Sequence, residues 1–141
     1  MFVFSCNSDN KEILSLNTFP ENSSESFLLS TNDNLYISWT EQVADSNFLY
    51  LSKLENNTWS EKSIIIKGTD WFVNWADFPS ISYNEISNSL FSFHLQKSSE
   101  ETFSYDVNYH INQGYSWKDM KKIHDDNTFS EHGFVSSVPY K

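Results

Sequence analysis

Ser52-Lys53-Leu54-Glu55-Asn56-Asn57-Thr58-Trp59 is answered 58 residues later by His110-Ile111-Asn112-Gln113-Gly114-Tyr115-Ser116-Trp117. Each stretch runs out of an aromatic-rich segment, crosses Asn- or Gly-containing turn residues, and closes on Ser/Thr-Trp. A second landmark, Phe followed by small residues, recurs at Phe27, Phe78 and Phe134, with gaps of 51 and 56 residues. Periods of this size are the mark of stacked supersecondary units. Four short strands per unit predict the blades of a β-propeller.

The strands are read from period-2 alternation and from turn chemistry. Leu35, Ile37 and Trp39 alternate with polar residues, and Leu90, Ser92 and His94 alternate with Phe91, Phe93 and Leu95. Alternation over such runs predicts strand, and no window sustains a 3.6-residue period with caps. The first unit is expected to use Ser26–Thr31, Asn34–Thr40, Phe48–Leu54 and Ser63–Lys67. The second is expected to use Ser80–Tyr83, Ser89–Gln96, Ser104–Ile111 and Lys121–His124, with a third unit opening at Phe134–Val138. Asn and Gly tolerate positive φ, so Thr31–Asn34, Asn56-Asn57, Asn84–Asn88 and Asn112–Gly114 are the expected turns. The expected fold is all-β, a partial propeller of about two four-stranded antiparallel blades plus the first strand of a third. In domain terms, 1–23 is a tether, 24–68 blade one, 78–125 blade two and 131–141 the start of blade three.

Composition excludes several functions. The 141 residues carry a net charge of −10, and all nine basic residues are lysines. A polyanion is repelled by such a chain, and no basic stripe interleaves with the aromatics, so no nucleic-acid partner is expected. No apolar run approaches the roughly 20 residues of a transmembrane helix. His94, His110, His124 and His132 are spaced 16, 14 and 8 apart, unlike local zinc-ligand motifs, and neither a metal nor a cofactor is expected. Phosphate loops and nucleophile elbows are missing as well.

The start of the chain, Met1-Phe2-Val3-Phe4-Ser5-Cys6, is similar to the end of a bacterial lipoprotein signal. On that resemblance Cys6 is the lipid-modified residue of a longer precursor, the following polar residues are a tether, and the protein sits in the cell envelope. The charged region and most of the apolar region of such a signal are missing. The alternative is an inert thiol.

The Trp turns resemble the Asp-box, or BNR repeat, of sialidase-like propellers, Ser-x-Asp-x-Gly-x-Thr-Trp. Ser52, Thr58 and Trp59 fit in the first copy. Gly114, Ser116 and Trp117 fit in the second, with Asn112 at the Asp position and His110 at the Ser position. The stretches from Asp70 to Ser80 and from Glu131 to Val135 also look like segments of bacterial exo-α-sialidase-like proteins. The resemblance covers roughly residues 24–141 and implies a structural role for the boxes at the rim of the ring.

It further implies that ligand chemistry lies on the loops between blades, Gly68–Phe78 and Asp125–Phe134. Asp70, Trp71, Trp75, Asp77, Glu131 and His132 are the ligand-face candidates. Trp rings beside carboxylates suit a sugar; the same two rings would equally seal the packing between blades. Sialidases of the resembling family grip their substrate with arginines and use a Tyr nucleophile, the exception among glycosidases. This chain has no arginine, and none of its tyrosines fits a catalytic motif. The expectation is therefore a truncated N-terminal piece of a sialidase-like propeller, a glycoside hydrolase in its parent form. The piece binds glycans, or in the alternative proteins, and lacks turnover. Two blades leave apolar faces uncovered, so the missing blades or self-association are the expected partners.

Overall fold

The computed structural model describes residues 19–114, 116–133 and 135–138. Cys6 and the segment expected to tether it, and Phe134, expected to open a third unit, lie outside the described residues. Every regular element among the described residues is a strand. None of them forms a helix long and apolar enough to cross a membrane.

Two antiparallel sheets form, and they have the same topology. In the first, β1 (Ser23–Ser30), β2 (Leu35–Val43), β3 (Ser46–Glu55) and β5 (Ser63–Gly68) pair in that spatial order, while β4 (Thr58–Trp59) folds back on the end of β3. In the second, β7 (Ser80–Asn84), β8 (Ser89–Lys97), β9 (Tyr105–Asn112) and β10 (Lys121–Lys122) repeat the order. The short β6 (Trp71–Phe72) pairs with β8 beyond β7, through Trp71 opposite Gln96 and Phe72 opposite Leu95. All eight expected strands of the first two units are therefore present. β1 begins earlier than expected, through a bulge between Ser24 and Phe27 that sets Glu25 at φ 51°. β10 is shorter than expected, and residues 135–138 carry no strand.

The turns follow the asparagines. Asn56 and Asn57 sit at φ 51° and 62°, the paired left-handed residues of a tight hairpin whose twist matches its strands. Asn88 lies at 49° and Gly114 at 100°. The turn after β2 puts Ala44 at 53°, with no Asn or Gly to ease it.

The two Trp turns are built alike. Trp59 pairs with Leu54 and Trp117 with Asn112, in the same register after the third strand of each sheet. The N–H after each Trp, of Ser60 or Lys118, donates at 2.8 Å to Lys53 O or Ile111 O respectively. The first box position then binds the same carbonyl in each copy. Ser52 Oγ donates to Ser60 O at 2.7 Å, and His110 Nδ1 lies 3.2 Å from Lys118 O. A hydroxyl and an imidazole thus do one job. Because Ser52 is buried, Ser52→Ala leaves that carbonyl short of a partner, and is expected to cost about 1 kcal/mol, read as a lower urea midpoint at unchanged slope.

The sheets pack through different faces. Sheet one presents Tyr36, Leu49, Leu51 and Ile65; sheet two meets them with Trp71 and Ile81, helped by Leu90 and Trp117. Register makes the opposed faces non-equivalent. The face of sheet two that carries His94 and Trp117 corresponds to the face of sheet one that carries Trp39 and Trp59. That latter face has its own cluster of Ile37, Trp39 and Tyr50, with Phe48 and Trp59 against it. Phe19 sets its ring edge-on to Trp39 at 5.0 Å. The buried Glu41 accepts from Trp39 Nε1 at 2.8 Å and pairs with Lys62 at 2.7 Å. The far face of sheet two holds Leu95, Tyr105 and Val107, with Phe72 and Val135 packed on them.

Candidate functional site

The six loop residues singled out in the sequence part company. Trp71 takes the packing role, the alternative to a ligand face. Its place in β6 turns the indole into the core between the sheets, 8% exposed and 5.2 Å from the His94 ring. An apolar ring of that size is most stable sealed there, and it is not offered to a ligand. Trp75, four residues on, is 90% exposed at the tip of a turn. Asn74 makes that turn: its side-chain oxygen accepts the N–H of Ala76 and Asp77, and its own N–H donates to Asp77 O. This is local Asx chemistry, and it delivers Asp77 inward, 4% exposed. Asp70 stays on the surface, accepting from Thr69 Oγ1 at 3.1 Å.

Asp77, Glu131 and His132 do come together, around the start of β9. The chain after β10 returns across that start, with Tyr105 N–H donating to Ser130 O and His132 N–H to Tyr105 O. The result is a parallel bridge between Tyr105 and Glu131. Successive residues on paired extended segments face opposite sides. On one side the Tyr105 hydroxyl donates to Glu131 Oε1 at 2.6 Å. On the other His132 Nδ1 comes within 3.6 Å of Asp106 Oδ1. Gly133 completes the crossing: a Cβ there would press on the Tyr105 ring and on Asp77 Oδ2.

Electrostatics separate the two sides. Burial, then the hydrogen bond to Glu131, then the charges of Glu131 and Asp77, push the Tyr105 phenol well above its ordinary range. The ring is 1% exposed and stacks on Phe72 at 4.1 Å. On the other side the His124 and His132 rings stack at 3.8 Å. Asp126 bonds both: its Oδ1 lies 3.1 Å from His124 Nδ1, and its Oδ2 3.2 Å from His132 Nε2. The bond to His132 holds the Asp126 carboxyl below its usual range. For His132, desolvation opposes the proton, but the bond and charge of Asp126, the Tyr105 carbonyl and Asp106 together raise its pKa.

Asp106 escapes the sequence reading, and Tyr105, His124 and Asp126 are set aside there because no local motif joins them. They lie on β9 and on the segment after β10, and only strand register makes them neighbours. Lys121 stands opposite Tyr109 and Lys122 opposite Asn108; the same register continued brings His124 level with Asp106, at 3.3 Å.

A cavity of about 360 Å³ opens where the first strands of the two sheets approach each other. Phe27 and Leu29 of β1, Ile81 and Tyr83 of β7, and Asp77 with Phe78 line it. Here a predicted ligand-face residue, Asp77, meets an open apolar cleft. No family model, no curated protein and no solved structure matches this chain.

Proposed function

We propose that the chain forms two consecutive blades of a sialidase-like β-propeller of the cell envelope, and that it binds glycans without hydrolysing them. The observation that carries this reading is the head-to-tail packing. Each four-stranded meander offers its Trp-turn face on one side and the opposite face to the next unit, as a fan of blades requires and as a sandwich of two like faces does not. In a fan the Trp39/Trp59 face awaits a preceding blade, and the Leu95/Val107 face a following one. Further blades or other copies of the chain would cover them. The cell-envelope setting rests on the Met1–Cys6 stretch.

The cleft between β1 and β7 lies at the inner edge of both units, where a propeller carries its ligands. Its ring faces from Phe27 and Tyr83, with Asp77 nearby, suit a sugar. Tyr105 with Glu131 and Asp77 is the only Tyr-carboxylate group that touches the predicted loops among the described residues. Its phenol is buried and held protonated, the wrong direction for a nucleophile. With no arginine to hold an acidic sugar, the group is better read as a clamp on the returning chain.

A glycan array followed by titration calorimetry, run beside a fluorogenic sialoside assay, tests the proposal. The expected result is glycan binding without turnover, weakened at least about tenfold, a loss of about 1.4 kcal/mol, by Tyr83→Ala. Turnover by this chain would remove the non-catalytic reading. Failure to bind any glycan would remove the ligand.

A further inference from the structure

We propose that Asp106, His124 and His132 bind one zinc-class divalent cation, with Asp126 orienting both imidazoles. The three ligand atoms, Asp106 Oδ1, His124 Nε2 and His132 Nδ1, lie within 4.8 Å of one another. Asp106 Oδ1 is 3.3 Å from His124 Nε2 and 3.6 Å from His132 Nδ1. Ligands at about 2.05 Å from a tetrahedral ion stand about 3.3 Å apart, so the carboxylate is already spaced to share an ion with each ring.

The other polar atoms of these side chains are engaged so as to leave Asp106 Oδ1 and His124 Nε2 free, while His132 Nδ1 is held only by the Tyr105 carbonyl. Lys122 Nζ holds Asp106 Oδ2 at 3.2 Å and leaves Oδ1. Asp126 takes the outer nitrogen of each ring, Nδ1 of His124 and Nε2 of His132, and leaves the inner ones. A carboxylate on the far nitrogen of a metal-bound imidazole fixes its tautomer and raises its basicity. Asp106 Oδ1 and His124 Nε2 are moreover buried without a hydrogen-bond partner among the described residues, although they face each other. Desolvated polar atoms in that state are costly, and a cation between them removes the cost.

Two adjustments accompany binding. The stacked rings lie within 14° of parallel, so each turns towards the common point. His132 Nδ1 also gives up the Tyr105 carbonyl at 3.2 Å, which keeps the His132 backbone N–H at 3.1 Å. Two imidazoles and one carboxylate favour zinc, nickel or copper over calcium or magnesium. Three protein ligands leave a fourth position for water or a ligand oxygen.

Equilibrium dialysis of the full chain with Zn²⁺, followed by metal analysis and calorimetric titration, is the test. The expected result is one ion per chain with micromolar or tighter affinity, undisturbed by excess Ca²⁺. His124→Ala with His132→Ala should abolish binding, Asp126→Asn should weaken it about 10–100-fold, and Cys6→Ser should leave it intact. In the unaltered chain, the ring-proton resonances of His124 and His132 should move on zinc addition while those of His94 and His110 stay. Lack of stoichiometric zinc, binding that survives the double substitution or disappears with Cys6→Ser, or resonances that move only at His94 and His110 would each overturn the site.

Discussion

Trp71→Ala is expected to lower the unfolding free energy by about 3–5 kcal/mol, the range for truncating a buried aromatic. The indole is 8% exposed and belongs to the cluster that joins the two sheets, beside Leu49, Leu51 and Ile81. Neighbours reach it from both sheets, so the cavity cannot be closed by one strand shifting. Gly68 confirms how closely the ring is held, because a Cβ at that position would run into Trp71 Nε1. Folded domains have about 5–15 kcal/mol in hand, and the loss is a large part of it. Trp75→Ala, four residues along, should stay within about 0.5 kcal/mol, as expected of an exposed side chain away from special contacts. Urea unfolding at 25 °C compares the two directly. A Trp71→Ala loss below about 1 kcal/mol, well under what core truncation costs, would mean that the inter-sheet core is not built around this ring.

The contrast between Trp71 and Trp75 also marks where sequence reading stops. Strand identity was legible because it is local: alternation in Leu35–Trp39 and Leu90–Leu95, and asparagines at turns, act within a few residues. The Trp turns were legible as a repeat for the same reason. Their shared geometry explains why His110 can stand where the first copy has Ser52, since either side chain reaches the carbonyl after the Trp. Which of two nearby tryptophans goes inside depends instead on a two-residue pairing, Trp71 with Gln96, across 25 positions. The segment around it, with Gly68, Asn74 and Pro79, reads as loop. The candidate site divides in the same way. Glu131 and His132 stood out because they lie between units. Asp106 and His124 did not, because nothing along the chain announces that β10 will carry one level with the other. Spacings of 16, 14 and 8 residues exclude a local zinc motif, yet a hairpin followed by a parallel return removes that separation.

Acid should destabilise the chain by roughly 3 kcal/mol between pH 6.5 and 4 through His94 alone, about 1.4 kcal/mol for each pH unit of displaced titration. His94 is 2% exposed, packed between the tilted Trp71 ring at 5.2 Å and the stacked His110 ring at 5.5 Å. Neither ring nitrogen has a hydrogen-bond partner among the described residues. Burial first, and the charge of His110 second, push its pKa down to about 4 from 6.5. Above pH 6.5 the ring is neutral in both folded and unfolded chains, and its contribution does not vary. Below that, the unfolded chain takes up a proton that the folded chain refuses until about pH 4, so stability falls across that window and levels off beneath it. His110, lowered chiefly by burial against the opposing Lys118 carbonyl, adds in the same direction. His132 has the opposite sign, because its raised pKa gives stability that is complete at low pH and lost on the alkaline side. The discriminating measurement is therefore the difference between the chain and His94→Leu, by urea titration at pH 7 and pH 4.5. Leucine nearly conserves the volume and removes two unsatisfied buried nitrogens, so the variant should match or exceed the parent at pH 7. It should also lose most of the acid sensitivity. Parallel pH curves for the two proteins would show that His94 takes its proton without unfolding, and that the space between the sheets is open to water.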